Sequence, residues 1–282
     1  MKYNYIVNNN TNTIEDFLKY YSLGKTKYKL IKSIYVNNVK SNLKTKINNN
    51  DNITIDFEEQ IDFIPQDHKL NILYEDDYLL LVDKDVNLLV HPDSKDKLDT
   101  LVNYVASYYK SKNEFRQVHY LHRIDTDTSG IVMFAKDFLT TSKMAKLIES
   151  HEVARTYLTL VEGIVKKDGT INEPIGEDRH HNQRRRVSKT GKDAITDYKV
   201  IKQYNNYTLL EVKLRTGRTH QIRVHMSYIK HPLLGDELYF GNKKLIKRQA
   251  LHSHSVEFIH PITNKNIIVK SELKSDMKKL VK

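Results

Sequence analysis

Residues 122–135 of the chain read His122-Arg123-Ile124-Asp125-Thr126-Asp127-Thr128-Ser129-Gly130-Ile131-Val132-Met133-Phe134-Ala135. The five apolar residues that follow Gly130 are typical of a buried strand. The polar residues before them therefore form a loop that delivers Arg123 and Asp125 to the end of that strand. Polar side chains held on a loop by rigid structure often build an active site. Asp, Thr, Ser and Gly are equally typical of an ordinary turn, so this loop alone leaves both interpretations open.

Composition restricts the class of protein. The 282 residues suffice for one large domain or for two, with a sizeable core. The absence of cysteine excludes disulfides and thiolate metal sites and agrees with a reducing cytosol. No apolar run approaches the roughly 20 residues of a membrane span, and the polar N-terminus does not resemble a signal peptide. These features predict a soluble, cytoplasmic protein without a membrane partner.

Positive charge is concentrated in two segments. The formal net charge is +11, which favours polyanionic partners. Residues 1–58 contain nine lysines and no arginine against five acidic residues. Residues 179–192 contain six lysines or arginines and no acidic residue. Both segments are candidates for phosphate binding, and the alternative for each is a charged surface that simply faces water.

The N-terminal residues predict a small α+β domain. Asn12 or Thr13 can cap a helix whose apolar positions lie at helical spacing, and a second helix is predicted at 26–31. Residues 34–39 predict a hairpin with an Asn-Asn turn, and 53–57 predict a closing strand. Residues 59–69 resemble a linker, because Pro65 ends regular pairing and mixed charge follows it. The predicted boundaries are thus 1–58, 59–69 and 70–282.

The remainder of the chain predicts strands with interspersed helices. Strands are predicted at 78–82, 88–90 and 157–161, in a pair within 197–216, and in a last pair around 256 and 267–269. Helices are predicted at 100–109, 141–153 and 219–228. Hairpin connections between the strands favour an α+β domain around a mixed, largely antiparallel sheet.

The loop at 122–130 resembles the signature of the RluA-type pseudouridine synthase family, which is usually His-Arg-Leu-Asp, two variable residues and Thr-Ser-Gly. Further motifs follow in the family's order over about residues 70 to 270. They are Asn71-Ile72-Leu73-Tyr74-Glu75-Asp76-Asp77 with Val90-His91-Pro92, Thr156-Tyr157-Leu158 with Val161-Glu162-Gly163, and Thr216-Gly217-Arg218-Thr219-His220-Gln221-Ile222-Arg223-Val224-His225-Met226 with His231-Pro232-Leu233-Leu234-Gly235-Asp236. The chain departs from the family at 84–87, where Lys-Asp-Val-Asn replaces the usual Lys-Pro-Ala-Gly.

The resemblance implies a pseudouridine synthase catalytic domain over 70–282 that isomerises uridines in structured RNA. Because the reaction includes neither a redox step nor a phosphate transfer, we expect no cofactor and no metal. Asp125 matches the family's nucleophile or base, Arg223 its basic partner, Tyr157 the residue that contacts the target base, and Arg123 the residue that helps to displace it. Which role the carboxylate takes stays open at this point.

The resemblance also implies the RNA contacts. Residues 1–58 resemble the RNA-binding domain that many members share with a small-subunit ribosomal protein, although the usual arginines are missing. Large-subunit ribosomal RNA is the expected substrate, with transfer RNA as the alternative, and we expect a monomer. The predicted RNA-binding residues, besides Arg123, are Lys25, Lys27, Lys29, Arg184, Arg185, Arg186, Lys189, Lys192, Arg218 and His220.

Two other functions stay open from the sequence. The first is a catalytically silent RNA-binding or ribosome-assembly factor, against which the intact Asp125, Tyr157 and Arg223 argue. The second is a nucleosidase that would release free uracil. The spacing does not match a glycosidase carboxylate pair, a nucleophile elbow or a phosphate loop. His220 and His225 are five residues apart, off one helical face, which does not favour a metal site.

Overall fold

The structure, a computed structural model, describes residues 1–59, 61–94 and 97–282. The strands are β1 (Lys2–Ile6), β2 (Ile31–Val36), β3 (Val39–Ser41), β4 (Asn52–Phe57), β5 (Ile72–Glu75), β6 (Leu79–Lys84), β7 (His119–Tyr120), β8 (Ser129–Ala135), β9 (Ala154–Glu162), β10 (Gly169–Asn172), β11 (Ile175–Glu177), β12 (Arg185–Val187), β13 (Ile195–Gln203), β14 (Tyr207–Leu214), β15 (Leu251–Ile259) and β16 (Asn266–Lys270). The helices are α1 (Ile14–Tyr20), α2 (Leu101–Ser111), α3 (Phe138–Glu149), α4 (Gln221–Tyr228) and α5 (Ser275–Lys278).

The N-terminal residues form a four-stranded antiparallel sheet in the order β1-β4-β2-β3. The predicted hairpin is confirmed, and its turn residues Asn37 and Asn38 both have positive φ, at 48° and 68°. The predicted helix at 26–31 is wrong in type, because Lys25–Leu30 forms a 3-10 helix. Lysines alternate with other residues there, which leaves no apolar stripe to bury. Strand β1, which lies at the edge of this sheet, was not predicted from the sequence.

The larger sheet has ten strands, eight of them in the order β10-β13-β14-β9-β15-β8-β6-β5. The other two are β16, which pairs with β15, and β7, which pairs with β8. Within the described part of the chain, β8 and β15 run parallel and the other pairs of this sheet are antiparallel. The predicted mixed, largely antiparallel sheet of an α+β fold is confirmed.

Strand β8 lies in the middle of this sheet and is buried on both faces. Val132 and Phe134 pack in the cluster that contains α2 and α4. Ile131 and Met133 pack on the opposite face, in a cluster to which α3 contributes Met144. A strand covered on both faces has no solvent side, so its sequence is a continuous apolar run rather than an alternating one. This burial fixes the position of the loop that precedes β8.

Two further predicted elements, a strand and a helix of the larger unit, need correction. Residues 88–90 do not form a strand, because their backbone groups bond elsewhere: the Leu101 amide donates to the Leu89 carbonyl, and the Leu88 amide donates to the Thr126 carbonyl. The helix predicted at 141–153 runs instead over Phe138–Glu149, since the Asp137 side chain accepts the Thr140 amide and caps an earlier start.

The N-terminal sheet packs directly against the larger unit. Phe138 and Leu139 of α3 belong to the same apolar cluster as β1 and α1. The Tyr5 hydroxyl donates to the Asp137 Oδ1 at 2.8 Å, and burial raises the pKa of that carboxyl. In the predicted linker, Asp62 accepts a hydrogen bond from the Gln117 side chain, while Gln60 lies outside the described residues. Among the helices described, none is long and apolar enough to cross a membrane.

Candidate active site

The loop at 122–130 is a turn that also presents a carboxylate. The Thr128 amide closes the turn on the Asp125 carbonyl at 3.0 Å. Gly130 follows with φ of 106°, and a Cβ at this position would lie 2.2 Å from the Ser253 carbonyl oxygen. Only glycine therefore allows β8 and β15 to approach as closely as they do. The loop therefore forms the turn that its composition indicates, and Asp125 of this turn lines a cavity.

Asp125 lines a cavity of about 1010 Å³ that is also lined by residues of β9, β14, β15 and α4. The predicted catalytic residues Tyr157 and Arg223 line the same cavity, as do Arg123, Arg218 and His220. These residues lie between positions 123 and 223 of the sequence, and the fold brings them together. Their common position is what the sequence motifs predicted.

Arg223 holds Asp125 and is itself held by a second carboxylate. Its Nη1 donates to Asp125 Oδ2 at 2.8 Å, while Nε and Nη2 donate to Asp236 at 2.7 and 2.8 Å. Burial opposes the charged guanidinium, but the bonds to Asp236 and Asp125 raise the pKa of Arg223 above its ordinary value. The bidentate pair with Asp236 fixes the plane of the guanidinium, so that an N–H of Nη1 points at Asp125.

Burial differs sharply among these three side chains. The exposed fraction of the side chain is 1% for Asp236, 7% for Arg223 and 26% for Asp125. Asp236 therefore balances the buried charge, whereas Asp125 is open to a ligand in the cavity. Asp236 lies within one of the sequence motifs, but no role was predicted for it.

Tyr157 forms part of the apolar wall of the cavity. It lies in β9 between Val212 of β14 and Ser253 of β15. Its ring packs in the cluster that contains Ile222 and Leu251, and burial raises the pKa of its hydroxyl. An aromatic ring buried beside a carboxylate provides a flat apolar surface for a planar ligand.

Two cationic residues near the cavity were missed from the sequence. Lys84 has 1% exposure, and its ammonium donates to the carbonyls of Asp85, Leu88 and Thr126 at 2.7 to 2.8 Å. Burial lowers its pKa to about 7. Arg155 lines the cavity. It lies two residues before Tyr157 in the same strand, and this period-two spacing is the signal that could have identified it.

Arg248 was also not predicted from the sequence, and it contacts the backbone of the loop at 122–130. Its Nη1 donates to the carbonyls of Asp127, Gln249 and Leu251 at 2.9 to 3.1 Å. Its Nε and Nη2 donate to the carboxylate of Asp276 in α5 at 2.7 and 3.0 Å. Nothing in the local sequence identified this link between the C-terminal helix and the loop.

The most basic segment forms a hairpin, which we call the basic hairpin (residues 175–192, with β11 and β12). Arg184 and Arg185 are half-buried: the Arg184 Nε donates to the Leu238 carbonyl, and the Arg185 amide donates to the Tyr239 hydroxyl. The segment borders the cavity at Gln183. Its remaining predicted RNA-binding residues are exposed, namely Arg186, Lys189 and Lys192.

The N-terminal lysines that were predicted to bind RNA do not line the cavity. Lys25 and Lys29 are exposed on the 3-10 helix. Lys27 is half-buried, with its ammonium 5.7 Å from the centre of the Phe138 ring. Lys27 therefore helps to attach the N-terminal sheet to α3.

Comparisons with known proteins add to this geometry. Residues 78–228 match the family of RNA pseudouridylate synthases. An uncharacterized RNA pseudouridine synthase of Bacillus subtilis, YhcT, is 40% identical over 252 residues, which are 86% of this chain and 83% of the relative. The ribosomal large subunit pseudouridine synthase D of Haemophilus ducreyi is 36% identical over 245 residues, or 81% of this chain and 75% of that protein. The solved human RNA pseudouridylate synthase domain containing 4 shares the fold, with a TM-score of 0.61 at 20% identity over 74% of this chain and 90% of that one.

Proposed function

This chain belongs to the RNA pseudouridylate synthase family, and we propose that it isomerises specific uridines of large-subunit ribosomal RNA with Asp125 as the catalytic carboxylate. One observation carries the assignment of the residue: Asp125 is half-exposed in the cavity and bonded at 2.8 Å to the buried Arg223. The names of the relatives, ribosomal large subunit pseudouridine synthase D, support the choice of RNA.

The proposed roles follow from what the reaction requires. The bond between uracil N1 and the ribose breaks, the base turns, and C5 forms the new bond to the ribose, after which C5 loses its proton and N1 gains one. A carboxylate must act on the sugar, either as a nucleophile at the anomeric carbon or as a base on a sugar proton. Both roles need a carboxylate that is held in a fixed direction, which the bond from Arg223 Nη1 to Asp125 Oδ2 at 2.8 Å provides. Tyr157 contacts the base.

Arg123 is proposed to assist the entry of the target base into the cavity. It is exposed and lines the cavity two residues before Asp125. A base stacked in RNA must leave its stack to reach the carboxylate, at a cost of a few kcal/mol. An exposed arginine beside the cavity can occupy the space that the base vacates.

Residues 1–58 are proposed as an RNA-binding domain. The charge changes Lys25→Gln and Lys29→Gln together should reduce the slope of log affinity against log salt by about 2, because each removes one phosphate contact. The single-turnover rate at saturating enzyme should not change, since neither residue lines the cavity. Filter binding from low to high salt measures the slope.

Point variants test this domain better than its deletion, which would expose the apolar residues Phe138 and Leu139. The matched control carries Lys40→Gln and Lys44→Gln, two exposed lysines of the same domain outside the 3-10 helix. Equal slopes for both double variants and the wild type would show that the predicted lysines do not bind RNA.

The exposed residues of the basic hairpin should contribute more to the salt dependence. The triple variant Arg186→Gln, Lys189→Gln, Lys192→Gln should lower the slope by about 2 to 3. Arg184 stays intact in this variant because its side chain bonds to the Leu238 carbonyl, and Arg185 stays intact because it is half-buried. An equally charged control changes three exposed lysines elsewhere, at Lys166, Lys167 and Lys265. If control and test variants show the same slope, the hairpin only faces water.

A pseudouridine map of RNA from the source cells tests the proposed function. The comparison includes wild type, a deletion strain, and the deletion complemented with either the wild-type gene or Asp125→Asn. Ribosomal sites lost in the deletion and restored only by the wild-type gene would support the proposal and identify the uridines. A map that does not change in the deletion strain would favour the silent RNA-binding factor, and sites in transfer RNA would correct the substrate.

A further inference from the structure

Tyr239 contacts several parts of the site, and the proposed mechanism gives it no role. Its side chain is buried, with 3% exposure, in the short 3-10 helix Glu237–Tyr239. Its hydroxyl lies 2.8 Å from the amide nitrogen of Arg185 and 2.9 Å from Nδ1 of His220. The centre of its ring lies 4.9 Å from the guanidinium carbon of Arg223, which lies over the ring face. One side chain therefore contacts the basic hairpin, the partner of Asp125, and a histidine of the cavity.

The hydrogen bonds of the Tyr239 hydroxyl bear on the tautomer of His220. The Arg185 amide can only donate, so the Tyr239 oxygen accepts that bond. The hydroxyl keeps one proton of its own, and the Nδ1 atom of His220 lies within hydrogen-bond distance of it. When the hydroxyl donates to Nδ1, the neutral imidazole carries its proton on Nε2. Burial lowers the pKa of His220 below its ordinary value, which favours this neutral form.

The Nε2 atom faces the catalytic carboxylate. It lies 3.9 Å from Asp125 Oδ2, the same oxygen that Arg223 holds. This distance is too long for a direct hydrogen bond, so that a proton on Nε2 would remain available to a substrate atom beside Asp125. The backbone of His220 has left-handed geometry, with φ of 57° and ψ of 20°, at the residue that precedes α4. Such a conformation at a non-glycine residue persists only where its surroundings impose it.

We propose that His220 donates a hydrogen bond from Nε2 to the substrate beside Asp125, and that Tyr239 is the positioning residue that fixes this tautomer. His220 thereby becomes a catalytic residue rather than only the RNA-binding residue that the sequence predicted. The proposal rests on the proposed role of Asp125, since the donor is useful only where that carboxylate acts.

The same contacts connect the donor to the basic hairpin. The Arg184 Nε bonds to the carbonyl of Leu238, and its guanidinium stacks 4.3 Å from the centre of the exposed Phe240 ring. Both neighbours of Tyr239 are thus held by the hairpin, and its hydroxyl is held by the amide of Arg185. The side chain of Arg184 and the backbone amide of Arg185 therefore hold the segment around Tyr239 that positions His220.

Nitrogen NMR of the imidazole ring tests the tautomer in the wild-type protein. In protein labelled at histidine, the signals of His220 are identified by their loss in His220→Gln. We expect the Nε2–H tautomer and a pKa below 6.5, which should rise in Tyr239→Phe because the donor to Nδ1 is lost. The charged groups that face this ring are Asp125, Arg223, Asp236 and Arg185. A Nδ1–H tautomer in the wild type would overturn the proposal.

Single-turnover kinetics test the function of the pair. Tyr239→Phe keeps the ring over Arg223 and removes only the hydroxyl, and it should lower the rate by about 10- to 100-fold with the RNA dissociation constant unchanged within about threefold. Added to His220→Ala, it should have little further effect, because Tyr239 acts through His220. Additive effects in this cycle, or a wild-type rate in Tyr239→Phe, would contradict the proposal.

The control is Tyr108→Phe, which removes a hydroxyl that bonds Glu75 at 2.6 Å and lies outside the cavity lining. Its rate should equal that of the wild type. Asp125→Asn run in parallel separates the two proposals. An inactive Asp125→Asn with a fully active Tyr239→Phe would overturn the role of Tyr239 alone, whereas an active Asp125→Asn would overturn the proposed function itself.

Discussion

Asp125→Asn should reduce the single-turnover rate of isomerisation by at least about 10³-fold, a loss typical of removing the central group of a catalytic unit. The amide keeps the size of the side chain and cannot act as a nucleophile or as a base. The RNA dissociation constant should stay within a few-fold, because Arg123, Arg218 and the basic hairpin remain. Rapid mixing at saturating enzyme, with nucleoside analysis of the product, measures the rate.

The loop itself provides the matched control. Asp127 lies two residues further along and lines the same cavity, but the buried Arg223 bonds to Asp125 and Asp236 rather than to Asp127. Asp127→Asn removes the same charge and should retain the rate within about tenfold. Comparable losses in both variants would assign the effect to the charge of the loop rather than to one carboxylate.

Arg223→Met should lower the free energy of unfolding by about 3 to 5 kcal/mol and should abolish activity. The substitution leaves Asp236 as a buried carboxylate without its bidentate partner. It also removes the bond that directs Asp125. Urea denaturation measures the stability, and the single-turnover rate measures the chemistry.

A double variant separates these two effects. Arg223→Met with Asp236→Leu replaces the buried pair by apolar side chains of similar volume and should recover most of the stability. Activity should stay absent, since Asp125 still lacks its partner. The control is Arg215→Met, which breaks an exposed bidentate pair with Asp197 and should change stability far less. Activity regained in the double variant would show that Arg223 serves stability alone.

The features that could be predicted from the sequence are those with a local signal. The apolar run at 131–135 identified the central strand, because burial on both faces leaves no polar position in it. The Asn37-Asn38 pair identified a hairpin, since both residues tolerate positive φ. The motif positions of Asp125, Tyr157 and Arg223 placed three residues that the fold indeed gathers around one cavity.

The features that escaped prediction depend on partners distant in sequence. Asp236 became part of the site through its bidentate bond to Arg223, and Tyr239 through a hydrogen bond to His220. Lys84 looked like part of a departure from a turn motif, yet its ammonium binds a carbonyl of the Asp125 loop 42 residues away. Residues 88–90 had the composition of a strand, but their backbone bonds to the start of α2 and to the same loop. Such contacts have no local pattern.

The most direct test of the central claim uses the purified protein and a transcript of large-subunit ribosomal RNA. The RNA is digested to nucleosides after the reaction, and uridine, pseudouridine and free uracil are separated and quantified. Our account predicts that pseudouridine appears in an amount equal to the uridine lost, without free uracil, and that Asp125→Asn produces none. Free uracil with abasic RNA, or pseudouridine formed by Asp125→Asn, would contradict it.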